Sequence, residues 1–184
     1  MTQSATMRTP DGPFSVIVRD GEVLASGWTA DVAALAALVH HDLHAGVVCP
    51  VAASAPAVRF AVDAVQRYYA GDVDAPDEVP VRQMSADFRA HAWKVLRQVV
   101  AGERVTYGEL ALRAGRPAAV RAAAGACASN AAALFVPCHR VVRRDGSLGG
   151  FRYGGAIKRS LLERESGGGD ACGFEGWGFV GPHG

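Results

Sequence analysis

Two apolar, β-branched runs flank Asp20-Gly21 in the stretch FSVIVRDGEVLASGW, residues 14–28. A strand pattern on both sides of Asp-Gly predicts a β-hairpin, because that dipeptide accepts the positive φ angles of a tight hairpin turn. Farther along, apolar positions return at helical spacing in ADVAALAALVHHDL, from Ala30, and in AVRFAVDAVQRYYAG, from Ala57. Two helices are predicted there, the second stopped by Gly71. Residues 72–80, DVDAPDEVP, are acidic, hold two prolines and are expected to form a linker.

The pattern after residue 80 is mostly helical. SADFRAHAWKVLRQVV offers Phe88, Trp93, Val95, Leu96 and Val99 for its apolar faces, with Ser85 as the expected N-cap and Gly102 as the stop. TYGELALRAG opens with Thr106-x-x-Glu109, a capping box in which each residue satisfies an amide of the other, and Gly115 ends it. RPAAVRAAAGACAS then starts with Pro117 in a first-turn position and continues with almost nothing but Ala, Gly and Arg121. Two short helices about a Gly turn predict a helix-turn-helix. In ALFVPCHRVV a buried-strand pattern is interrupted by Pro137, which holds Cys138 at a bend. The expected fold is α/β (α+β). A small amino-terminal domain with an antiparallel sheet and helices, residues 1–80, precedes a mostly helical domain, residues 81–166, and a Gly-rich flexible tail, residues 167–184.

Composition adds a core and a compartment. At 184 residues and 49% hydrophobic the chain can bury a core. No apolar run approaches the roughly 20 residues of a membrane span, and MTQSATMRTPDG lacks a secretory h-region, so a cytoplasmic protein is expected, without membrane association. Cys49, Cys127, Cys138 and Cys172 are widely spaced, as free thiols in a reducing compartment are. Charge changes the picture more. Residues 1–80 carry a net −6, residues 81–166 a net +9 and the tail −2, within a total of +1. A basic unit of that size suits a polyanion partner or, more plainly, a solvated face.

The Ala-rich helix cannot read much base sequence with Arg121 as its one long polar side chain. It is either a tightly packed core helix or one lying against a nucleic-acid backbone with Arg121 as a wedge. Cys138 has the same two faces: a buried structural thiol, or a nucleophile whose pKa is lowered by His139, Arg140, Arg143 and Arg144. On extended backbone, Cys138 and His139 point apart, so a water or a turn must link them. His40 and His44, one helical turn apart near Cys49, have a spacing that zinc accepts, but a closed site needs four ligands and no metal is expected. Cys127, on the small-residue helix, is expected to pack.

PCHR at 137–140, preceded by Asn130 and followed by VVRRDGSLGGFRYGGAIKRSLLERE, resembles the active-site signature of the O6-alkylguanine-DNA alkyltransferases. The likeness extends back through AWKVLRQVVAGERVTYGELALRAGRPAAVRAAAGACASN and more weakly into the first half, and GFRYGG is similar to the adaptive-response variant of the motif. That resemblance implies a suicide repair protein without a cofactor, acting as a monomer on the minor groove of double-stranded DNA. Cys138 would accept the alkyl group, with His139 and Glu165 generating the thiolate through a water. Tyr107 would assist the departing guanine, and Asn130 would brace the turn before the cysteine. Arg121 would fill the space of the flipped base, with Ala122, Ala119, Thr106 and Arg140 also facing DNA. Phe151, Pro137, Val136 and Tyr107 would wall the pocket. Ala131 stands where many members have proline, and Phe151 where tyrosine is frequent. Relatives of this fold that bind lesions without a cysteine define the non-catalytic alternative, against which Cys138 itself speaks.

Overall fold

The computed structural model describes residues 1–43 and 46–167. β1 (Thr2–Thr9), β2 (Gly12–Arg19) and β3 (Glu22–Gly27) form an antiparallel meander. The turn between β2 and β3 is the expected one, with φ of 53° at Asp20 and 79° at Gly21. β1 carried no strand signal in the sequence, yet its full length pairs with β2, from Thr2 opposite Arg19 to Thr9 opposite Gly12. β4 (Val48–Pro50) joins the other edge of β1 in parallel, giving the order β3-β2-β1-β4. The sheet is therefore mixed rather than wholly antiparallel.

Alternation along β2 sends Phe14, Val16 and Val18 into the main core and Ile17 into a smaller cluster with Leu24 and Leu35. Each face is covered by a helix. α2 (Pro56–Tyr69) buries Val58, Ala61, Val62, Val65 and Tyr68, one helical stripe, in the main core. α1 (Val32–Ala36) covers the other side with Leu35 and is capped by the Asp31 carboxylate. It is much shorter than the fourteen-residue pattern from Ala30 predicted, because the chain leaves the helix after Ala37 and re-forms only a 3-10 turn at His41–Leu43. His44 lies outside the described residues. The described side chains that converge there are His40, His41 and Asp42, and Cys49 is not among them.

The acidic stretch expected as a linker is packed. Its 3-10 turn, Ala75–Glu78, buries Ala75 and Pro76, and Arg97 donates to the carbonyls of Asp77 and Val79 at 2.7 and 2.9 Å. One cluster of buried residues runs from Phe14 and Val65 through Val79 to Trp93, Leu110 and Phe135.

α3 (Asp87–Leu96), α4 (Tyr107–Arg113) and α5 (Val120–Ala128) follow, with a two-residue parallel pair, β5 (Val105–Thr106) and β6 (Val141–Val142), and α6 (Gly155–Glu165). Ser85 does not cap α3; Ala86 occupies that position without a side-chain hydrogen bond. α4 and α5 make the expected helix-turn-helix, and the capping box is present, Glu109 N–H donating to Thr106 Oγ1 at 3.2 Å and Thr106 N–H to Glu109 Oε2 at 2.6 Å. The apolar run before Cys138 is not a strand. It makes isolated bridges and a tight turn with buried Leu134 at φ 76°, and a 3-10 turn, Cys138–Arg140, carries the cysteine. No helix among the described residues is long and apolar enough to cross a membrane. The sequence expectations for Cys172 and the Gly-rich tail after Gly167 fall outside the described residues.

Candidate active site

Asn130 ends the loop after α5, and its side chain closes the turn that follows. Nδ2 donates to Val136 O at 2.8 Å and to Cys138 Sγ at 3.1 Å, while Oδ1 accepts from Ala132 N–H at 3.1 Å. A buried amide used on both ends costs nothing in unmade hydrogen bonds, and it ties the turn to the thiol. Cys138 is 8% exposed on the floor of a cavity of about 290 Å³, walled by Tyr107, Cys127, Asn130, Phe151, Arg152 and Tyr153 among others. Pro137 and Val136 do not line it: both are buried beneath the turn, and Val136 contributes its carbonyl to the brace instead. Trp28 packs on Phe151 and Tyr153 at ring-centroid distances of 5.9 and 5.6 Å, so the amino-terminal half supports this wall.

Behind the thiol lies a buried ionic cluster. His139 Nε2 and Glu165 Oε1 are 2.8 Å apart, Tyr68 Oη donates to the same oxygen at 3.1 Å, and Arg140 grips both carboxylate oxygens at 2.9 and 3.1 Å. Arg140 also donates to Val99 O at 2.5 Å and is 1% exposed. The expectation that Arg140 faces DNA is corrected here, since its guanidinium points into the core to neutralise Glu165.

That burial also alters the thiol chemistry expected from the sequence. Burial pushes the Cys138 thiol up, against the opposing pull of the Asn130 hydrogen bond and the Lys158 and Arg152 charges. Arg140 is spent on Glu165, and Arg143 and Arg144 are exposed, so the lowered pKa expected from these neighbours does not appear. Burial likewise pushes His139 down, outweighing Glu165. For Glu165, burial acts upward, yet the hydrogen bonds and charges of His139 and Arg140 hold it down at about 2. With His139 neutral, the Arg140 guanidinium on both carboxylate oxygens is what keeps Glu165 ionised. The resting site is thus a neutral thiol beside a neutral imidazole whose Nδ1 is buried and has no hydrogen-bond partner among the described residues. Tyr107 is half-buried, and burial pushes its hydroxyl up, so it remains a donor.

Several residues here were not found from the sequence. Lys158 is fully buried, donating to Val141 O at 2.5 Å, and Tyr68 and Gln83 reach the cluster and the brace. Lys158 had a readable signal: 158, 161, 162 and 165 share one face of α6 at helical spacing, and all four are buried. Arg121 and Ala122 are exposed on the first turn of α5, Ala119 precedes it, and Thr106 caps α4 beside a groove lined by Leu112, Val120, Arg143 and Arg144.

The fold and the site define a helix-turn-helix protein built around one braced, buried thiol and a carboxylate-backed histidine. Over residues 87–167 the chain matches the family described as 6-O-methylguanine DNA methyltransferase, DNA binding domain. It is 42% identical over 102 residues to a methylated-DNA–protein-cysteine methyltransferase of Haemophilus influenzae, covering 55% of this chain and 57% of that one. It is 46% identical over 93 residues to the bifunctional transcriptional activator/DNA repair enzyme Ada of Escherichia coli, covering 50% of this chain and 26% of that one. A crystal structure of Mycobacterium tuberculosis OGT in complex with DNA is similar over 89% of this chain and 92% of that chain, with a TM-score of 0.73 and 28% identity. The chain spans from about a quarter to three fifths of the length of the curated relatives it matches.

Proposed function

We propose that the protein repairs alkylated duplex DNA by moving the alkyl group from O6 of guanine to Cys138, once per molecule. The observation that carries this reading is the Cys138 thiol on the floor of a cavity of base size, held by the Asn130 amide in front of the buried His139–Glu165 pair.

Neutral partners at rest mean that the thiolate forms only when it is used. The thiol proton passes through a bridging water to His139 Nδ1, and Glu165 holds the resulting imidazolium. Sγ then attacks the alkyl carbon. The S–C bond forms as the C–O6 bond breaks, and the bonding pair leaves on guanine, to which Tyr107 donates a hydrogen bond. The proton taken from the thiol is returned to the base, so thiol and alkylguanine become thioether and guanine. A thioether is not cleaved by this machinery, which makes the reaction stoichiometric.

On the DNA side, Arg121 fills the stack left by the flipped base, and the small side chains of Ala119 and Ala122 let α5 approach the minor groove closely. Thr106 positions the start of α4 against the backbone. The protein acts as a monomer in the cytoplasm. The likeness to a relative crystallised with DNA, and the net +9 of residues 81–166, support this interface.

The test is intact mass after incubation with duplex carrying O6-methylguanine. One methyl group on the Cys138 peptide, no turnover, and loss of transfer in Cys138→Ala with DNA binding retained are expected. Binding without a mass change in the intact protein would instead mark a non-catalytic lesion binder.

A further inference from the structure

Gln83 lies in the extended segment before α3, on the far side of Asn130 from the thiol. Its side chain makes two hydrogen bonds to consecutive residues of the active-site loop. Nε2 donates to Asn130 Oδ1 at 2.9 Å, and Oε1 accepts from Ala131 N–H at 3.0 Å. The opposite edge of the same loop is fixed by backbone: Ser26 N–H donates to Ala131 O at 2.9 Å, and Ala133 N–H donates to Ser26 O at 3.1 Å. The loop is thus clamped between the end of β3 and one amide side chain. Because Asn130 Nδ2 must reach Cys138 Sγ while Oδ1 reaches Ala132 and Gln83, the Gln83 amide fixes both the rotation of the Asn130 amide and its depth.

We infer that Gln83 is a positioning residue for the Cys138 thiol, acting through the Asn130 side chain and the Ala131 amide. The inference rests on the reading that Cys138 is the acceptor. Without the Gln83 donor, Asn130 Oδ1 keeps one partner instead of two, and its amide is free to rock away from sulfur. Without the Gln83 acceptor, the Ala131 N–H of a buried residue is left unpaired, and the loop must shift to satisfy it. The Asn130 hydrogen bond opposes the upward push of burial on Cys138, so a weakened contact moves thiol ionisation to higher pH. The other groups acting on the thiol are Lys158 of α6, Arg152 and Tyr153 of the loop before it, Tyr107 of α4 and Cys127 of α5, with His139 beside it in its own turn. None of them bonds Gln83, so substitution at 83 leaves them in place.

The experiment measures carbamidomethylation of Cys138 by iodoacetamide, followed by peptide mass between pH 6 and pH 12 so that the range extends above a thiol pKa raised by burial, in wild type, Gln83→Leu and Gln83→Met. Methionine keeps the length and volume of glutamine and removes both hydrogen bonds, so it guards against a folding defect in the leucine variant. Cys138 in both variants is expected to react about tenfold more slowly at neutral pH, with the difference closing as the pH rises past the thiol pKa, as for an upward shift of about one unit. An unchanged profile in Gln83→Met overturns the inference, and so does a loss that is the same at every pH, which would reflect general loosening. The same three proteins are given methylated duplex. If wild type accepts no methyl group, the functional reading falls, while the iodoacetamide profile still decides the role of Gln83.

Discussion

Replacing Glu165 by glutamine removes the one negative charge at the centre of the buried cluster and leaves its shape nearly unchanged. In the folded protein Glu165 is pushed up by burial but held down at about 2 by His139 and Arg140, against an ordinary value of 4.5. That difference sets an upper limit of about 3 kcal/mol on its stability contribution, at about 1.4 kcal/mol per unit, since at neutral pH His139 is uncharged and Arg140 supplies the attraction. The cost of stripping a buried charge of its partner, about 3–5 kcal/mol, points the same way, because among the described residues Arg140 would keep Asp77 alone, at 3.9 Å, as a counter-charge. Since the folded pKa is depressed, the contribution is fully present above the unfolded value and is lost as pH falls from about 4.5 through about 2. Glu165→Gln should therefore unfold about 10 °C lower at pH 7 and lose the steep part of its acid denaturation in that window. Thermal unfolding followed by circular dichroism from pH 7 to pH 2 measures both. A variant within about 1 kcal/mol of wild type at pH 7, with the acid slope intact, would refute the account of Arg140 and Glu165 as one buried unit.

Thr106→Ala removes one half of the capping box and should cost about 1 kcal/mol in chemical denaturation, with repair slowed because Tyr107 is the first residue of α4. Gly27→Ala would drive a Cβ into the Tyr153 hydroxyl and ring, so the ring must leave the wall it shares with Trp28 and Phe151. A loss of about 1–3 kcal/mol and a changed ranking of small and large alkyl substrates are expected, read by denaturation and by competition between methylated and benzylated duplex. Arg121→Ala should slow transfer from duplex far more than from a free O6-alkylated guanine base, because only duplex has a stack to refill; equal losses in the two single-turnover assays would remove that role.

How much of this was legible in the sequence depended on how local the cause was. The Asp20-Gly21 turn, the Thr106–Glu109 box and the α2 stripe are written within a few residues and were read correctly. β1 was missed because TQSATMRT has too few apolar positions to signal a strand; its pairing with β2 creates the strand. The run before Cys138 has a strand's apolar pattern, and Pro137 alone points to an edge or a turn; the apolarity reflects burial on all sides of a turn, and period cannot separate the two. The positive φ of Leu134 carries no sequence mark at all. At the site, the nearest neighbours in sequence misled. Arg140 looked like part of an electropositive surface, but its charge is answered by Glu165, twenty-five residues later. Lys158 and Gln83 act across the tertiary fold, and only the helical spacing of Lys158 gave any hint of it.

Part of the seam between the two halves is stitched by main chain. Ser26 exchanges backbone hydrogen bonds with Ala131 and Ala133, and Val23 does so with Pro80 and Arg82. Such bonds ask for a strand end at the right place but hardly for a particular side chain. At Val23 and Ser26 the side chain can therefore change while the strand still delivers an edge on which the reactive loop can dock. A support joined through its backbone can be rewritten residue by residue without loosening what it supports, whereas the Asn130 and Glu165 networks, made of side chains, leave evolution few synonyms.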